Sequence, residues 1–198
     1  FSSFDVNQSS ELLNKCCEAG FIDKDAVITR QGNINHNSFH FSSEEIAQAI
    51  REKLGEEVVQ RHHWAITHYL MNRSATGILD RDVFEAVHHL NHSGRIGTTV
   101  EEKRSFAELN LRAAKKSRLL GSFSTGYKYV NKALSFAVDL SWDDNLDLLT
   151  NIYLEAYQLA RLNEDSKADA EIYGLCLSKF DRDGAYSLKF LKMVLDIQ

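Results

Sequence analysis

Residues 107–138 read AELNLRAAKKSRLLGSFSTGYKYVNKALSFAV, and the reading of that stretch decides the fold. Arg112, Lys115, Lys116, Arg118, Lys128 and Lys132 stand close to small and aromatic residues. Such a mixture grips nucleic acid in some proteins and only solvates a helix face in others. Spacing separates the two. Phe106, Leu109, Ala113 and Leu120 recur at helical intervals, Gly121 interrupts, and Phe123, Tyr127, Val130, Leu134 and Ala137 resume the pattern. The stretch is therefore expected to be two helices joined by a glycine turn. Phe123, Tyr127 and Phe136 follow the stripe that such helices bury, which takes them away from stacking on bases.

Sliding the stretch along the chain until Ala114 falls on Ala156 brings Gly126 onto Ala168 and Val130 onto Ile172. Ala133 then meets Leu175, and the turn glycine Gly121 meets Asn163, another residue that tolerates left-handed φ. Small residues placed on either side of a turn allow two antiparallel helices to pack closely. A repeated helix pair with this device marks a tetratricopeptide-type solenoid, here with a long loop between repeats. The second pair is expected to run to about Phe180. After the turn Asp181-Arg182-Asp183-Gly184, the residues Tyr186, Phe190, Met193 and Ile197 begin a third pair that is cut short. Charge is segregated along the repeats. Residues 103–132 carry eight Lys and Arg against Glu108 alone, and residues 139–171 carry nine Asp and Glu against Arg161 and Lys167.

Composition supports a helical chain. Proline makes up about 5% of average sequences, and none occurs in these 198 residues. Short polar turns joining helices are what remains when the main helix breaker is missing. Apolar residues make up 43%, ordinary for a globular protein, and the net charge of −5 argues against a general affinity for nucleic acid. No apolar run is long enough to span a membrane, and no signal-peptide pattern opens the chain. Of three cysteines, Cys16 and Cys17 are adjacent and Cys176 stands alone, an odd set that points to a reducing cytoplasm. The chain lacks an initiating methionine and ends within a helical pattern, so it reads as a piece of a longer protein.

The N-terminal part has a different character. Residues 9–20 form a serine-capped helix closed by Gly20. Two β-prone runs, Ala26–Arg30 and Ser38–Phe41, flank a Gly/Asn-rich turn and predict a hairpin between about Val27 and Phe41. Ser43, with Glu44 and Glu45, caps a helix whose inward face is expected to hold Ile46, Ala49, Ile50 and Leu54. A helix over residues 56–71 should bury Val59, His63, Ile66 and Leu70, and another short helix should cover residues 80–92. Helix, small hairpin, helix is the outline of a winged-helix module. The expected organisation is a mainly α chain: a winged-helix-like module at 1–75, a connecting helix and linker at 76–102, and tetratricopeptide-like repeats at 103–198.

Candidate chemistry is sparse. A calcium loop around Gly184 would place Lys179 and Phe190 where acidic ligands are needed. His88 and His92 share a helical face and His62, His63 and His68 form a second group. Neither brings the third or fourth ligand that zinc requires, so half-buried histidines at helix contacts are the better account. Cys16 and Cys17 lack the C-x-x-C spacing of a redox pair. No phosphate-binding glycine loop and no G-x-S-x-G motif occurs.

Four phrases then carry a resemblance, in order: FHFSSEEIAQAI from Phe39, VFEAVHHLNHSGRI from Val83, FAELNLRAAKKSRLLGSFSTGYKYVNKAL from Phe106, and LTNIYLEAYQLARLNED from Leu149. Together they resemble the large bacterial and fungal signalling kinases that carry an AAA-type signal-transduction ATPase (STAND) module. The resemblance spans about residues 35–198. It implies a P-loop ATPase upstream, a winged helix, a tetratricopeptide-like array, and sensor and histidine-kinase domains downstream. It also implies a departure. Where the family reads Phe-Ser-His-Asp, this chain has Phe41-Ser42-Ser43-Glu44. In related switches that histidine touches bound ADP. Ser43 has no imidazole and Glu44 keeps the carboxylate, so these are degenerate nucleotide-sensor positions.

The resulting expectation is a regulatory and interaction segment without catalysis, holding no cofactor of its own, with ATP or ADP belonging to the parent protein. Its partners would be protein domains or peptides in the solenoid groove, with no membrane and no nucleic acid. The alternative is a winged-helix DNA-binding regulator. The helix at Glu44–Leu54 mixes Glu44, Glu45 and Glu52 with Arg51 and Lys53, which disfavours it.

Overall fold

The computed structural model describes residues 6–28, 34–72, 78, 80–164 and 174. Among them are seven α-helices and one two-stranded antiparallel sheet, so the chain is mainly helical. It divides into two compact units, Phe1–Val59 and Gln60–Gln198.

In the first unit, helix α1 (Val6–Glu18) ends where Gly20 adopts φ 74° and the amides of Gly20 and Phe21 return to the carbonyls of Cys17 and Cys16. A Cβ-free residue makes that left-handed exit without strain. Strand β1 (Ile22–Ile28) pairs with β2 (Ile34–Phe41), Ile22 opposite Phe41 and Ile28 opposite Ile34, with a register slip between Asp25 and Val27. The hairpin thus begins ahead of the expected Val27. The polar run Asp23–Asp25 has little strand propensity, but it lies opposite a β2 of eight residues that draws it into the ladder. Lys24 also rests its ammonium over the Phe39 ring and reaches Asn14.

Helix α2 (Glu44–Leu54) starts at Ser43, whose extended backbone and side chain, accepting from the Ile46 amide at 3.3 Å, make a regular N-cap. Its inward residue is Ala47, 2% exposed. This corrects the expected face, since Ala49, Ile50 and Leu54 are exposed and Ile46 is half-buried. The helix packs through its smallest apolar side chain. Helix α3 (Glu56–Asn72) begins in this unit and continues into the next.

In the second unit, Thr67 and Leu70 are the buried residues of α3, whereas Ile66 is 37% exposed and His63 is half-buried. The expected helix at 80–92 resolves into a single 3-10 turn (Asp80–Asp82) followed by α4 (Val83–His92), which buries Val83, Ala86, Val87 and Leu90 completely. After α4 the chain turns sharply, and Gly94 at φ 66° lies so close to Gln60 that a Cβ would come within 2.6 Å of its side chain.

Helix α5 (Val100–Leu119) is the axis of the unit. It opens on a full capping box, in which Thr99 accepts from the Glu102 amide and the Glu102 carboxylate accepts from Thr99. It packs against α4, α6 (Phe123–Ala137) and α7 (Trp142–Leu162), which explains why it buries residues all round, from Phe106 and Ala107 to Ala113 and Ala114. Asn110, fully buried, exchanges two hydrogen bonds with Asn91 of α4 (2.9 and 3.2 Å) and donates to the Phe106 carbonyl. The α5–α6 turn is made by Gly121 at φ 74°. Helix α7 kinks at Asn145 (φ −128°, ψ 25°), whose amide donates to the Ser141 carbonyl.

Candidate functional site

The cations of α5 reach a different set of acceptors from the one a nucleic acid would offer. Arg118 donates through Nε and Nη2 to the two carboxylate oxygens of Glu155, at 2.7 and 3.2 Å. Lys115 donates to the Asn151 side chain on the same face of α7, at 3.0 Å. Lys103 pairs with Asp139 in the turn after α6. Lys116 donates to the Asp80 carbonyl at 2.6 Å and lies 5.2 Å from the centre of the Phe84 ring, which stacks in turn on Tyr129. Arg112 donates to the Ile78 carbonyl at 3.0 Å. The basic and acidic segments are therefore joined to each other within the fold.

The aromatics of the stretch are equally engaged. Phe136 is 5% exposed and meets Phe106 edge-to-face at 5.4 Å, while Phe123 and Tyr127 lean on the core. Tyr129 is half-buried, and that burial raises its phenol above the usual value.

Where α5 and α7 run side by side lies a cleft of about 340 Å3, lined by Arg104, Glu108, Leu111, Arg112, Lys115, Asp147, Leu148 and Asn151. Two leucines sit among charges of both signs, three cationic and two acidic. Its carboxylates, cations and the Asn151 amide offer hydrogen bonds and ion pairs beside the two leucines.

Of the small residues singled out in the sequence, Ala114, Gly126, Ala133 and Ala156 are all buried. A Cβ on Gly126 would stand 3.1 Å from a Leu159 methyl and 3.2 Å from the Ala114 carbonyl oxygen, so α6 meets α5 there almost backbone to backbone, with the Leu159 side chain of α7 against the same point. At the end of α7, Asn163 is the C-cap at φ −98°, its amide donating to the Leu159 carbonyl at 2.7 Å, and the left-handed residue is the next one, Glu164 at φ 59°. The side-chain hydrogen bond holds Asn163 in the last turn and passes the reversal on by one position. Ala168, the second helix of that pair apart from the helical Gly174, the loop at Gly184, Cys176 and the third pair lie outside the described residues.

Ser43 and Glu44 both serve helix α2. Ser43 caps it, and the exposed Glu44 carboxylate accepts from both terminal nitrogens of Arg51, at 2.9 and 2.8 Å. Cys16 and Cys17 are free thiols, half-buried on α1.

Sequence spacing alone separated His63 from the α4 histidines, and the fold unites them. The rings of His88, His89 and His92 lie 5.9, 5.0 and 5.5 Å from that of His63, and His63 Nδ1 is 2.8 Å from His89 Nδ1. Burial, followed by the charge of neighbouring histidines, lowers the pKa of His88 and His89 below the usual imidazole value. Among the described residues no group of three or more His, Cys, Asp or Glu is arranged to hold a metal ion, and no helix is long and apolar enough to cross a membrane.

Comparison with protein-family models, with curated proteins and with solved structures gives no match to this chain.

Proposed function

We propose that this chain is a non-catalytic interaction segment whose helical unit docks a protein domain or peptide along the cleft between α5 and α7. The observation that carries this reading is the lining of that cleft, an apolar floor at Leu111 and Leu148 edged by Arg104, Glu108 and Asp147. Apolar anchors inside a polar rim are the anatomy of a protein–protein contact. The tetratricopeptide-like character of the helix pairs and the winged-helix character of the first unit belong to this proposal. So does a relay role within a signal-transduction ATPase or kinase of the cytoplasm, which rests on the resemblance of the four phrases.

DNA binding, through the first unit or through the basic face of α5, is the competing reading. The engagement of the α5 cations with Glu155, Asp139, Asn151 and Asp80 supports docking over DNA, because few of them remain to neutralise phosphates. A photo-crosslinking residue placed at Leu148, and for comparison at the exposed Lys128 of α6, tests the reading in cells. A discrete protein adduct from position 148 and none from position 128 is the expected result. Equal labelling from both positions would remove the cleft from consideration.

A further inference from the structure

The histidines of α3 and α4 meet in a way that allows at most one charged ring in the contacting pair. A hydrogen bond between His63 Nδ1 and His89 Nδ1, 2.8 Å apart, needs a proton on one nitrogen and a lone pair on the other. A first proton leaves an imidazolium donating to a neutral ring; a second turns both facing nitrogens into donors, and the contact becomes repulsive. His88 and His92, whose ring centres are 4.3 Å apart, close the cluster, and His92 Nδ1 is engaged with the His88 carbonyl at 2.8 Å. A second proton entering the group therefore meets the first at close range.

The charged groups of the elements that carry and adjoin the cluster are of both signs. On α4 the nearest carboxylate in sequence is Glu85, exposed and one turn earlier. On α3 the carboxylates Glu56 and Glu57 are confined to the first turn, and Arg61 and His62 flank His63. The turn after α4 brings Arg95, a cation 4.8 Å from the Trp64 ring centre. Helix α5 meets α4 with the uncharged Asn110. Arg95 is itself in electrostatic contact with the Glu102 carboxylate of α5, and the causes that lower the pKa of His88 and His89 are burial and other histidines.

We propose that His63, His88, His89 and His92 form an acid-released clasp between α3 and α4, closed at neutral pH and opened as the cluster takes up protons. The sign follows from linkage. A histidine whose pKa is lowered by folding takes up its proton more readily when released, so the closed state is favoured above the ordinary imidazole range and loses ground as pH falls through it. Trp64, edge-to-face with Phe106 at 5.9 Å and next to His63, sits where opening would be felt.

Amide hydrogen exchange on the whole chain at pH 7.5 and 5.5, corrected for intrinsic rates, tests the clasp alongside a histidine NMR titration. Protection in α3 and α4 should fall several-fold on acidification, about as expected when the open state takes up protons more readily than the closed one, while α5 and α6 hold. The double variant His63→Asn/His89→Asn, which keeps uncharged hydrogen-bonding groups, should abolish that selective loss. If the double variant does not fold, the wild-type titration still decides. Selective opening at the pH where the cluster titrates supports the clasp. Unchanged protection, or equal loss in every helix, overturns it. So does a chelator-reversible rise in protection of α3 and α4 on adding zinc at neutral pH, which would assign the rings to a metal.

Discussion

Arg118 holds a carboxylate that has almost no access to water: Glu155 is 3% exposed, and both of its oxygens accept from that one guanidinium. The pair joins the most basic part of the chain to the acidic part. Removing the cation alone would strand a buried charge, so Arg118→Ala should lower unfolding free energy by about 2–4 kcal/mol. Replacing both residues by leucine should restore most of the loss, because two apolar side chains leave nothing unpaired. Urea denaturation of the three proteins measures this. An Arg118→Ala variant as stable as the wild type would contradict the burial of Glu155.

The close approach at Gly126 predicts a graded series. Gly126→Leu should destabilise by about 1–3 kcal/mol through overpacking. Gly126→Ala should cost less, because the helix preference of alanine, worth about 1 kcal/mol, offsets contacts of 3.1–3.3 Å with Leu159 and Ala114. Thermal melting of both variants checks the order, and a leucine variant that melts with the wild type would place Gly126 elsewhere.

The capping box of α5 gives a pH prediction. The amide and hydroxyl of Thr98, with the amide of Thr99, hold the Glu102 carboxyl below its ordinary value of 4.5. A carboxyl depressed by folding stabilises above its unfolded value, and that contribution disappears as pH falls through the folded one. Stability should therefore decline below about pH 4.5 less steeply in Glu102→Gln than in the wild type. Thr99→Ala should cost about 0.5–2 kcal/mol at neutral pH. Denaturation midpoints measured from pH 3 to 7 distinguish these outcomes.

Duplex DNA should not bind measurably even at low salt. A true phosphate contact would show itself as about one log unit of affinity lost per log of salt. Reversing Lys115 and Lys116 to glutamate should leave the absence of binding unchanged while lowering stability, because Lys116 loses its contacts with the Asp80 carbonyl and the Phe84 ring. Salt-sensitive DNA binding that this double variant loses would revive the transcription-regulator reading.

Much of the helical unit was legible because the cause is local. The apolar spacing of Phe106, Leu109 and Ala113, the missing prolines and Gly121 each act within a few residues of where they stand, whereas Leu120, expected on the same stripe, is the exposed C-cap of α5. What escaped depends on distant partners. The exposed Ile66, and Ala47 in place of Ile50 as the buried residue of α2, follow from which neighbour covers each face, and periodicity locates a stripe only to within about a residue. The meeting of His63 with His89 depends on how α3 and α4 pack on each other, which no spacing rule encodes. The kink at Asn145 had one visible signal, an asparagine early in a helix with Ser141 four residues behind it.

The reciprocal amide pair of Asn91 and Asn110 has a consequence for how the unit assembles. Alanines, valines and leucines along α4 and α5 would tolerate several alignments of one helix on the other, since apolar contact is indifferent to direction. An amide sealed from water is not indifferent. Sliding α4 by one turn would leave Asn110 without its partner, at about 1–3 kcal/mol for each unsatisfied group. The two asparagines thus act as a key that fits one alignment, and mis-docked forms are disfavoured from the moment water leaves the contact.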